Sequence, residues 1–150
     1  MRFGTRSLIA LGGSAAAAAH VTGTETFVHA TTAGTTTSVG GVSQMRGLVG
    51  EVTDAMSDPR ASGTGTLTGN YDLHDGGGVQ WGTYQLANAG GSWEGTWSGI
   101  LYGSGPVEDC SVWLVGKGGY AGLSYYFHFH GSGGTYETDG VIFPGSPPAP

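Results

Sequence analysis

From Val21 to Phe143 apolar side chains fall mostly at every second position, with polar residues or glycine between them. That period of two predicts strands, and nothing after residue 20 carries a helical period. "VTGTETFVHA" (21–30) reads as a first strand, with Phe27 and His29 on one face and Thr26 and Val28 on the other. "VSQMRGLVGEVTDAM" (42–56) reads as a long second strand, bent at Gly47 or Gly50. Further strands are expected over 61–73, 79–87, 92–103, 110–115, 123–131 and 135–143. "SVGG", "SDPR", "HDGGG", "NAGG" and "GKGGYAG" supply the turns, and 104–109 is expected as a loop. About eight strands at hairpin spacing imply an all-β chain. A single closed antiparallel up-and-down barrel is the expected fold, with a β-sandwich as the alternative. Closure is favoured because it removes sheet edges.

Composition supports this and divides the chain. Glycine takes 31 of 150 positions, and Lys, Arg, Asp and Glu together only 11%. The aromatics lie almost wholly after residue 20, which argues for a packed core rather than disorder. Residues 1–19 are basic, then mildly apolar, then five alanines, the order of a signal peptide. The expected organisation is a leader over 1–19, a barrel domain over 20–143 and a Pro-rich tail over 144–150. Location would be secreted, periplasmic or at the cell surface.

Without the leader, three basic groups face eleven acids, a net charge of −8. Three scattered cations cannot neutralise a phosphate backbone, so no nucleic-acid partner is expected. An anionic membrane surface is disfavoured for the same reason, and no membrane insertion is expected once the leader is gone. Cys110 has no cysteine to pair with, and the preceding Glu108 and Asp109 disfavour its thiolate.

"VWLVGKGGYAG" (112–122) contains a dinucleotide-type glycine pattern, but the residues after it alternate as a strand, so no helix is there to hold a pyrophosphate. Gly116-x-Gly118-x-Tyr120-x-Gly122 between two strands instead resembles the late turn of the allene oxide cyclase and dirigent barrels. The resemblance covers one hairpin. It implies an eight-stranded barrel with a hydrophobic lumen whose end is plugged by the turn aromatic. It also implies a cofactor-free cyclase, isomerase or coupling guide, although no catalytic residue of those families can be matched here. "MSDPRASGT", "WGTY", "GGSWEGTW" and "GGYAGLSYY" together resemble small exported bacterial barrel proteins. "GTWSGILYG" is similar to avidin-type strands, but it lies well inside the domain rather than at its start.

The expected function is therefore the holding of a hydrophobic small molecule in the lumen, as a binder or as a cofactor-free cyclase or isomerase. Trp81, Tyr84, Trp93, Trp97 and Phe127 are the expected walls. Glu51 or Asp58 would stabilise developing charge, and Arg60 would orient a carboxylate or carbonyl. The alternative is a structural or surface-interaction barrel, fully packed and without activity; a homo-oligomer stays open. His128-x-His130 begins like a metal pair, but two ligands are fewer than zinc or iron requires. Tyr125, Phe127 and Phe129 should face the core, with Tyr126, His128 and His130 opposite. No metal or cofactor is expected.

Overall fold

In a computed structural model, residues 17–146 are described. The parts of the expected leader and tail at 1–16 and 147–150 lie outside them. The strands are β1 (Ala19–Thr32), β2 (Thr35–Val39), β3 (Val42–Met56), β4 (Gly63–His74) and β5 (Gly77–Asn88). β6 (Gly91–Tyr102), β7 (Val107–Lys117), β8 (Leu123–Ser132) and β9 (Thr135–Pro144) follow. Each strand from β3 to β9 pairs antiparallel with the next, and β1 pairs with β9 on one side and β3 on the other. The β1–β3 seam closes an eight-stranded barrel, so the chain is not a sandwich. β2 is a ninth strand, paired only with the first residues of β3 and wholly exposed.

Local chemistry sets the turns. Gly40 and Gly41, and Asp75 and Gly76, all have positive φ, as tight hairpins that follow strand twist require. β3 bends at Gly47, where φ is +75° and the register with β4 slips between Met45 and Leu48. A second irregularity corrects the expected first strand. The β1–β3 register skips Val28, so Phe27 opposes Val52 and His29 opposes Glu51. Phe27 packs against the core, while His29 is exposed. The expected loop at 104–109 is also shorter than its composition suggests. β7 starts at Val107, which puts Glu108 on the lumen face and Asp109 outside.

Inside, large rings lie over glycines on neighbouring strands. Phe127 opposes Gly140, Trp97 opposes Gly82, Tyr84 opposes Gly95 and Trp93 opposes Gly116. A Cβ on Gly50 would stand 2.2 Å from the Phe27 ring, so glycine there makes room for the aromatic. Tyr125, Phe127 and Phe129 are buried, as their alternation predicts, and Tyr126, His128 and His130 are not.

One end of the barrel is plugged. Tyr120, in a short 3₁₀ turn at Gly118–Tyr120, stacks on Trp93 with ring centroids 5.0 Å apart. Its hydroxyl donates to Asn88 Oδ1. The Asn88 amide donates to the carbonyls of Pro59, Arg60 and Ser62, fixing a second 3₁₀ turn, Pro59–Ala61, across the same end. Trp93 Nε1 donates to Arg60 O at 2.8 Å. Gly145 N bonds Gly122 O at 3.0 Å, so the first residue after β9 is also tied to this end.

Candidate functional site

The opposite end is a mouth. There the barrel rim is formed by the hairpin turns at Gly40–Gly41, Asp75–Gly76 and Gly133–Gly134 and by the β6–β7 connection. Phe27 N bonds Gly134 O at 2.8 Å, which holds β1 against this rim.

Below the mouth lies a polar cluster. Glu25 and Asp54 are direct partners across the β1–β3 seam, and both point inward. The Tyr84 hydroxyl lies 2.9 Å from Glu25 Oε2, and 3.1 and 3.0 Å from Asp54 Oδ1 and Oδ2. All three side chains are buried, with Glu25 at 1% and Asp54 at 3% exposure. One hydroxyl proton cannot serve two carboxylates. The arrangement is satisfied when one carboxyl is protonated and donates to the Tyr84 oxygen, while Tyr84 donates to the other. Burial, and next the charge of Asp54, hold the Glu25 pKa well above the usual carboxylate range against the pull of its Tyr84 contact. Burial pushes Asp54 up to about 7, again with Tyr84 opposing. The two carboxyls thus hold a proton between them, with the Tyr84 hydroxyl bridging the pair.

Above Glu25 is a pocket of about 160 Å³. Glu25, Leu67, Trp97, Phe129 and Tyr136 form its buried part, and Phe27, Leu48, Tyr71 and Glu108 its half-buried part. Burial raises the Glu108 pKa, and the neighbouring Tyr136 hydroxyl draws it back down. The pocket therefore presents two carboxyl groups among seven apolar or aromatic walls.

The residues singled out from sequence separate into three places. Trp97 lines the pocket, and Tyr84 lies beneath it in the carboxyl cluster. Phe127 packs edge-on against Tyr84, centroids 5.7 Å apart, one layer deeper. Trp93 belongs to the plug, as do Asp58 and Arg60. Arg60 Nη2 donates to Asp58 Oδ2 at 2.7 Å, while Asp58 Oδ1 accepts from Arg60 N. Asp58 is held below its usual pKa by that partner, and its carboxylate is engaged at the plug. Glu51 and Trp81 require a correction. Glu51 faces outward, 3.9 Å from His29, because it is out of phase with the lumen residues Gly50, Val52 and Asp54. Trp81 also faces outward, beneath the Arg46 guanidinium at 5.0 Å, because Gln80, Gly82 and Tyr84 take the inward phase.

Sequence reasoning missed Glu25, Asp54 and Glu108. Strand phase marks the first two. Val21, Gly23, Glu25 and Phe27 alternate inward, as do Gly50, Val52 and Asp54. An acid in phase with core residues is the signal.

Outside, Asp109 touches His128 through Oδ1, and its Oδ2 is 3.8 Å from His130 Nδ1. Among the described residues no group of three or more His, Cys, Asp or Glu side chains is disposed to hold a metal ion. Cys110 is buried, receives the Gln80 amide at 3.0 Å, and has its thiol pKa pushed up to about 12 by burial. It is an inert core residue.

The chain matches no protein-family model, no curated protein and no solved structure.

Proposed function

We propose that the barrel binds a small, largely apolar molecule in the mouth pocket, with Glu25 as its buried polar contact. The observation that carries this reading is the placement of two carboxyls, buried Glu25 and half-buried Glu108, in an otherwise aromatic and aliphatic cavity. A barrel whose function was structural alone would gain stability from a Leu or Met at Glu25, since a buried carboxyl costs free energy even when hydrogen-bonded. Retaining two buried acids beside a cavity is better explained by a ligand.

A second reading, a cofactor-free isomerase or cyclase, has support from the same cluster. A neutral Glu25 can give its proton to a bound ligand. Burial and the charge of Asp54 then make the resulting charge on Glu25 unfavourable, so that it readily takes a proton back. The likeness of the Gly116–Gly122 turn to the allene oxide cyclase and dirigent barrels favours this chemistry too.

Trp97 supplies the test. It lines the pocket, whereas Trp93 is in the plug and Trp81 and Trp113 are partly exposed on the outer face. Titration with a panel of small apolar and aromatic compounds should shift intrinsic fluorescence, and Trp97→Phe should remove the shift. No change with any compound would leave the packed structural barrel as the better account.

A further inference from the structure

We propose that the natural occupant of the mouth pocket is a small organic cation, an amine carried on an apolar or aromatic body. The assignment rests on the pocket reading above and names the ligand class of that same site.

Among the described residues every basic side chain lies outside the lumen and has an acid beside it. Arg46 pairs with Asp72, Arg60 with Asp58 and Lys117 with Glu94. His20, His29 and His74 lie beside Asp139, Glu51 and Asp75, and His128 and His130 beside Asp109. Of the eleven acids, the ones without such a partner are exposed Glu137 and the three that face the lumen, Glu25, Asp54 and Glu108. The interior thus collects negative valence and no protein cation to meet it.

Tyr71, Trp97, Phe129 and Tyr136 surround the carboxyls, and aromatic faces attract cations. Once ionised, Glu25 and Glu108 are acceptors on the pocket lining; behind that lining the Gln80 Oε1 and the Tyr125 hydroxyl have no partner among the described residues. An ammonium brings donors only, which complements the two carboxylates of the lining. The volume, near 160 Å³, is below that of a drug-sized pocket, so the body is one ring or a short chain.

Protonation links these points. The groups facing Glu25 are Asp54 from β3, Tyr84 from β5 and Glu108 from β7, with Tyr136 from β9 beside Glu108. Without a ligand, burial and the Asp54 charge favour the neutral form of Glu25 over the pull of Tyr84. An ammonium would compensate the charge of ionised Glu25 and displace the proton.

Isothermal titration of the full chain with benzylamine and with benzyl alcohol tests the assignment. At about pH 8 benzylamine should bind on the order of tenfold tighter than the alcohol, with proton release seen as a buffer-dependent heat. Glu25→Gln and Glu108→Gln should each remove most of that preference, and a wild-type circular dichroism spectrum and urea midpoint show that the variants are folded. If the alcohol binds as tightly as the amine, the cation assignment is overturned and the pocket reading stands. If neither binds at millimolar concentration, the pocket reading fails and takes the assignment with it.

Discussion

Glu25 and Asp54 face each other across the β1–β3 seam, and the Tyr84 hydroxyl contacts both. Barrel closure and the buried acids therefore depend on the same pair of strands. Two like charges cannot both be kept at that distance in a dry interior, so the folded protein holds a proton there.

That proton makes stability depend on pH. Asp54 rises from 3.8 to about 7 on folding, and Glu25 rises too. Both bind the proton more tightly in the folded barrel than in the unfolded chain. Their contribution is therefore fully present below the ordinary carboxylate range and is lost as pH climbs through about 7. Urea unfolding should show a loss on the order of a few kcal/mol between about pH 5 and pH 8. Asp58, held low by Arg60, acts in the opposite sense and weakens the fold only at strongly acid pH. Asp54→Asn should flatten the neutral slope. A wild-type profile that rises from pH 5 to pH 8 would contradict the shared proton.

The plug should carry a large share of stability. Tyr120→Ala removes a ring stacked on Trp93 and should cost about 3 kcal/mol. Tyr120→Phe loses one hydrogen bond, while Asn88 Oδ1 still accepts from Gly90 N, so the cost should be about 1 kcal/mol. Chemical denaturation separates the two. Equal costs would mean that the stack contributes little.

Gly50→Ala connects packing to the pocket. The added methyl meets the Phe27 ring at 2.2 Å, and Phe27 is a pocket wall. The ring must turn toward the cavity, so stability should fall by about 1–3 kcal/mol and ligand affinity should fall with it. Unchanged affinity would mean that Phe27 yields in another direction.

Outward residues set the control. Glu51→Gln should change stability by less than about 0.5 kcal/mol and leave ligand binding as it was, since Glu51 faces solvent beside His29. A loss of binding in this variant would move the site to the outer face.

Much of the barrel was legible in the sequence. The Tyr125/Phe127/Phe129 alternation, the Trp93-Gly95-Trp97 face and the glycine turns each follow from local chemistry. The site was not legible, for physical reasons. Glu25 and Asp54 are 29 positions apart and meet only because β1 skips β2 to pair with β3, a long-range choice no local pattern announces. The Val28 irregularity reverses the side of His29, and the early start of β7 turns Glu108 inward from an expected loop. Glu51 attracted notice as a strand acid, but its phase sends it out; Glu25 has the inward phase and lies in a segment otherwise rich in threonine.

The most direct measurement of the central claim is methyl NMR of the labelled protein during addition of a small aromatic ligand such as benzyl alcohol. Leu48 and Leu67 line the mouth pocket, whereas Leu86 and Leu114 are buried outside its walls. The account predicts saturable shifts at Leu48 and Leu67, with Leu86 and Leu114 little changed. Shifts centred on Leu86 and Leu114, or none at any methyl, would contradict it.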